Sequence, residues 1–167
     1  MYVGHFGIAL AANGRRPKLP LALCLVAATA PDLVMGVLGV LLPALNADAY
    51  SHSLIAVAAL AVIGALGTGL VRRSGHDGLW IGALVGSHLP ADWITSRLSL
   101  WTHGPVWGLG LYARPGLDLI LELAIVVVGW AIYRRGLPQS ARIRTLVFAP
   151  LVLLGALQVL WNGLSWH

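Results

Sequence analysis

Charge is scarce in this sequence. Asp, Glu, Lys and Arg make up only 10% of its 167 residues, against roughly 25% in soluble domains. That deficit excludes an ordinary soluble globule, and a hydrophobic share of 58% excludes a disordered chain. The net charge of +5 and pI near 10.2 do not indicate a nucleic-acid-binding module. The eleven basic residues sit mainly in short clusters between apolar runs, as in membrane proteins. Cysteine is nearly absent: Cys24, alone inside an apolar run, cannot form an intrachain disulfide. Internal repeats, low-complexity linkers and period-2 alternation are missing as well. The expected fold class is therefore all-α: a polytopic membrane helical bundle, one transmembrane domain over residues 1–167.

Five apolar stretches are readable as spans: Leu19 to about Leu45 (interrupted by Pro31-Asp32), Ser53–Val71, about Gly78–Ser96, Gly116–Tyr133, and Thr145 to about Leu164. A crossing helix needs ~20 residues at about 1.5 Å each. Tyr2–Ala12 is too short to cross and suits a half-inserted or interfacial helix. Arg15-Arg16-Pro17-Lys18, an apolar run and Ala28-Thr29-Ala30 mimic a signal peptide. Pro31 would follow the cut, so an uncleaved span is expected.

Threading these spans places Arg15, Arg16, Lys18, Arg72, Arg73, Arg134, Arg135, Arg142 and Arg144 on one side. Only Arg97 and Arg114 fall on the other. The positive-inside rule turns the first side toward the cytoplasm, in a bacterial inner membrane. Tyr50, Trp93, Trp101, Trp107 and Tyr112 then form an outer aromatic belt, with Trp80 and Tyr133 at the inner interface.

Against this apolar background the acids and histidines stand out. Asp32, His88, Asp92 and Glu122 lie within expected spans, and His52 and Asp118 at span starts. A carboxylate at the bilayer centre costs about 2.5–3.5 kcal/mol on insertion scales. Arginine cannot offset this, since most of the basic residues lie on the opposite side. Protonation or a bound cation can. His88/Asp92 and Asp118/Glu122 are each spaced i,i+4, on one helical face. Imidazole with carboxylate suits Zn²⁺, and also Mn²⁺ or Fe, as one ion or two. Pro31 and Pro90 adjoin the candidate ligands and imply broken helices there. Plainer roles also fit. His52 suits an interfacial residue, and Asp32 and Asp118 suit helix caps, the reading favoured for Asp118. Asp48 reads as a loop acid, Asp77 as a solvated one, and His103 as a loop residue with a lesser claim on the site.

Four motifs in order, Gly4-His5-Phe6-Gly7, Ala30-Pro31-Asp32-Leu33, Ser51-His52-Ser53-Leu54 and Ser87-His88-Leu89-Pro90-Ala91-Asp92, resemble the YdjM-like family of membrane-bound metal-dependent hydrolases. That family shows G-H, P-D, T-H-S-L and H-L-x-x-D in this order. The resemblance implies His5, Asp32, His52, His88 and Asp92 as metal-site residues. It also implies a distant likeness to zinc-dependent phospholipase C and P1-type nucleases. One departure is visible: family members often carry H-R-G just before T-H-S, where this chain has Asn46-Ala47-Asp48-Ala49-Tyr50-Ser51.

The expected function is membrane-embedded, metal-dependent hydrolysis: a zinc-type phosphoesterase with one or two Zn²⁺ ions, acting on a lipid or lipid-linked substrate in the outer half of the membrane. Asp92 or Glu122 would serve as general base. Arg114 or Arg97 would hold an anionic headgroup. Nucleic acid is not an expected partner. The alternatives are a metal-ion or proton transporter using intramembrane His, Asp and Glu, and a structural metal that staples the helices.

Overall fold

Proline and serine decide where several helices stop. The computed structural model describes residues 2–101, 104–142 and 145–165, and among them helices dominate. In chain order they are α1 (Gly4–Arg15), α2 (Leu21–Ala28), α3 (Ala30–Leu41), α4 (Ala47–Ser51), α5 (Leu54–Arg72), α6 (Gly75–Gly86), α7 (His88–Thr95), α8 (Pro115–Gly136), α9 (Gln139–Arg142) and α10 (Ala149–Ser165). Single 3₁₀ turns at Leu111–Ala113 and Thr145–Phe148 precede α8 and α10. Two short strands, β1 (Leu98–Ser99) and β2 (Val106–Trp107), pair antiparallel between α7 and α8, with Leu98 opposite Trp107.

The expected five spans are not supported. Two helices are long and apolar enough to cross a membrane: α5 with 19 residues and α8 with 22. A third crossing exists only if α2 and α3 count as one broken span, bent by 62°. Pro31 opens α3, and a proline can start a helix but not continue one through. The stretch from Gly78 to Ser96 is divided between α6 and α7. Pro90 lacks the N–H that would bond to the Gly86 carbonyl, and the Ser87 hydroxyl donates to the Leu84 carbonyl (2.7 Å) at the break. The last expected span loses its start to the 3₁₀ turn, and the apolar helical stretch that remains falls short of the crossing length.

The chain forms two compact units. One is Val26–Gly110, and the other comprises the residues before and after it. In the flanking unit α1 lies parallel to α8. Gly7 meets Ile125 and Gly129, and Gly14 meets Ile132 and Gly136. A Cβ on Gly129 would collide with the Gly7 carbonyl, so this seam requires glycine. Helix α10 returns along α8. The Trp130 indole N–H donates to the Val147 carbonyl (2.8 Å) at one end, and Tyr2 stacks on Trp161 at the other. Val3, Leu10, Val126 and Leu154 form the core between them.

In the Val26–Gly110 unit, α5 and α6 form a helical hairpin. Arg73 takes the left-handed conformation (φ 52°) that ends α5. The Ser74 hydroxyl then accepts the Asp77 N–H to start α6. Asp77, expected in water, is buried and accepts from the Arg72 guanidinium at 2.9 Å. Helices α3, α4 and α7 pack beside this hairpin.

Candidate metal centre

Three breaks in the helices of the Val26–Gly110 unit deliver four side chains to one point. Asp32 lies in the first turn of α3, just after the α2/α3 bend. His52 follows α4, and Ser53, the cap of α5, comes next. His88 and Asp92 lie one turn apart on α7, which begins at the Ser87 break. One ligand atom from each of Asp32, His52, His88 and Asp92 lies within 4.8 Å of all the others.

The separations are informative. His52 Nε2 is 3.1 Å from His88 Nε2, 3.2 Å from Asp32 Oδ1 and 3.5 Å from Asp92 Oδ2. His88 Nε2 is 3.5 Å from Asp32 Oδ1 and 3.1 Å from Asp92 Oδ2. A tetrahedral ion with bonds of about 2.0–2.2 Å holds its ligand atoms roughly 3.3–3.6 Å apart. The donor set and its spacing therefore fit a divalent cation.

The outer ring nitrogens fix which face each imidazole presents. His88 Nδ1 is 2.9 Å from the Ala28 carbonyl, which can only accept. Nδ1 therefore carries the proton. In the neutral ring, Nε2 then turns a lone pair toward the cluster. His52 Nδ1 is 2.7 Å from Ser51 Oγ and 3.3 Å from the Asp48 carboxylate. A carboxylate acceptor again favours Nδ1–H and leaves Nε2 as the donor atom to a metal. Two lone pairs and two carboxylates facing one another repel unless something positive lies among them. A single proton can bridge one edge of the group, whereas a metal ion satisfies all four ligands.

The His88 side chain is fully enclosed, those of His52 and Asp92 nearly so, and that of Asp32 is 39% exposed. Access to the cluster is therefore on the Asp32 side. From the same residue an open apolar face of α3 continues past Leu33, Gly36, Val37 and Val40 to Leu41.

The remaining expected site residues lie as follows. His5 is buried on α1 in the flanking unit and is not part of the four-residue group. Glu122, on α8 of that unit, accepts the Tyr2 N–H at 2.7 Å and the Gly4 N–H at 2.6 Å, one on each carboxylate oxygen. It thereby holds the N-terminal end of α1, whose first N–H groups have no helical partners. Asp118, expected as a cap, is buried one turn earlier, and its Oδ1 makes no hydrogen bond among the described residues. Arg114 precedes α8 and Arg97 follows α7, both exposed. His103 lies outside the described residues. The residues not anticipated are Asp48, Ser51 and the Ala28 carbonyl, which orient the two imidazoles. The Asp48/His52 pair could have been found from its i,i+4 spacing.

No protein-family model, curated protein or solved structure matches the chain.

Proposed function

We propose that the protein is a metal-dependent hydrolase of the YdjM-like kind, holding a divalent ion, Zn²⁺ by preference, between Asp32, His52, His88 and Asp92. The observation that carries this reading is the convergence of four donor atoms, two of them imidazole nitrogens, with every separation that involves a histidine between 3.1 and 3.5 Å. When bound, such an ion supplies a Lewis acid for a phosphoryl oxygen and acidifies water. His52 and His88 hold it, their rings kept in register by Asp48 and Ala28. Asp32, at the open side, is the carboxylate that an incoming substrate meets first. Asp92 is a ligand or, if it stays unligated, the general base. The apolar face of α3 that begins at Asp32 suits contact with an acyl or prenyl chain, which makes a lipid phosphoester the favoured substrate class. Two or three helices of spanning length and composition are compatible with that setting.

The test is elemental analysis of detergent-purified protein beside His88→Ala, followed by a phospholipid and lipid-phosphate hydrolysis screen. Stoichiometric zinc in the wild type, lost with turnover in the variant, is the expected result. Equal metal content in both proteins, or turnover that survives metal removal, would overturn it.

A second reading, transport of a proton or metal ion, is favoured by one observation: Asp118 and Glu122 are buried one turn apart within a helix of spanning length. Reconstituted protein that carries Zn²⁺ or H⁺ across liposomes without hydrolysing lipid would establish it in place of the first.

A further inference from the structure

The C-terminal end of α8 carries a group of cations that the metal centre does not use. Arg134, Arg135 and Arg142 line one cavity of about 290 Å³ together with Trp130 and Ala131, and no acid lines it. Three arginines around one cleft concentrate positive charge there. Helix capping accounts for one of them: Arg142 donates through Nε to the Leu137 carbonyl (2.7 Å) and through a terminal nitrogen to the Arg135 carbonyl (2.6 Å). Those bonds also pin Arg142 beside the cavity.

Capping does not account for Arg134. Its guanidinium carbon lies 5.6 Å from the Trp130 ring centre and 5.5 Å from that of Phe148. The Trp130 indole is itself held by its bond to Val147. Arg134 Nε is buried and makes no hydrogen bond among the described residues. A guanidinium fixed against two aromatic rings has its planar fork oriented before any ligand arrives, which suits an oxyanion that can take several charge-assisted hydrogen bonds.

We infer that this cavity binds a phosphate-bearing anion. Arg134 and Arg135 are its principal ligands, Arg142 adds positive charge at the edge, and Trp130 forms a wall. The volume lies just below the ~300–1,000 Å³ range of small-ligand sites, which suits a headgroup or a free phosphate rather than a nucleotide. The inference does not rest on the metal centre and stands or falls separately from it.

The anion can come from an anionic lipid or from solution, and two probes separate these sources. Full-length protein in nanodiscs of phosphatidylcholine, with or without phosphatidylglycerol, is released and its retained lipids are counted by native mass spectrometry. In parallel, inorganic phosphate is titrated into detergent-solubilised protein by calorimetry. The expected result is retention of phosphatidylglycerol over phosphatidylcholine, or binding of phosphate, weakened roughly tenfold or more in Arg134→Gln. Arg134→Lys, which keeps the charge but loses the planar fork, restores it only in part. Selective lipid retention assigns the site to a headgroup, and phosphate binding alone assigns it to a soluble anion. Should Arg134→Gln fail to fold, Arg135→Gln at an exposed position tests the same expectation. Arg73→Gln removes one charge from the Val26–Gly110 unit and is expected to change nothing. No preference and no phosphate binding in the wild type, or an equal loss in Arg73→Gln, would overturn the inference.

Discussion

At the two candidate histidine ligands, the nitrogen turned away from the cluster decides what the other can do. Asp48 is 59% exposed on its side chain, yet it and Ser51 face His52 Nδ1. Outer partners of this kind are worth about 10–100-fold in metal affinity. Asp48→Ala is therefore expected to weaken zinc binding by roughly tenfold, read by competition with a chromophoric chelator, while Asp48→Asn loses less. Affinity unchanged in Asp48→Ala would leave the orientation of His52 to Ser51 alone. Glu122 presents a different balance. Each carboxylate oxygen accepts a backbone N–H from the start of the chain. Hydrogen bonds to a charged group contribute about 1.5–3 kcal/mol each. Glu122→Gln puts an amide N–H₂ where an acceptor is needed. It should lower stability by about 1–3 kcal/mol, measured by thermal unfolding in detergent, with metal content unchanged. Hydrolysis surviving in folded Glu122→Gln would take the general-base role away from Glu122 and leave Asp92.

Among the elements, α5 and α8 were readable from hydropathy alone. The expected Ser53–Val71 and Gly116–Tyr133 correspond to Leu54–Arg72 and Pro115–Gly136. Elsewhere hydropathy alone gave continuous runs, and the interruptions were signalled by Pro31 and Pro90 instead. Hydropathy is blind to a missing N–H at Pro90 or a bend before Pro31, although both prolines adjoin the candidate ligands in the sequence. Those breaks are what position the site. The α2/α3 bend leaves the Ala28 carbonyl facing His88, and the α6/α7 break starts a fresh helix at His88 itself. The seam between α1 and α8 shows the same economy of side chains. Gly7 and Gly129 bring two backbones together where any Cβ collides. Gly129→Val is expected to cost about 1–3 kcal/mol through overpacking, seen as a lower unfolding temperature. Since Gly129 lies in the flanking unit, zinc content should persist in whatever fraction folds. A Gly129→Val protein as stable as wild type would mean that the seam can open without loss.

On the scale of the whole molecule, the apolar surface is extensive. Ile55, Ile63, Leu70 and Val71 on α5 are each more than 60% exposed, an arrangement suited to lipid and prone to association in water. The candidate ligands join α3, the α4/α5 joint and α7, segments far apart along the chain, so an ion bound there would clamp the Val26–Gly110 unit. Binding to the folded state alone stabilises by mass action, about 2.7 kcal/mol at a hundredfold excess over the dissociation constant. Zinc should therefore raise the unfolding temperature of chelator-stripped wild type, a chelator should reverse the shift, and His88→Ala should respond to neither. A wild type indifferent to zinc would remove the clamp.

The amino-acid sequence by itself determined the helical class, the two long apolar helices and a wider pool of ionisable candidates, His5, Asp118 and Glu122 among them, from which the structure groups four. These follow from composition, from runs long enough to override local detail, and from the rarity of charged groups in an apolar chain. It could not determine how many helices reach spanning length, because that turns on where a few prolines and serines interrupt the backbone. Nor could it reveal that Asp32, His52, His88 and Asp92 meet within 4.8 Å of one another while Glu122 ties down α1. Residues dozens of positions apart become neighbours only through helix packing, and the local pattern around each of them is the same whether they meet or not.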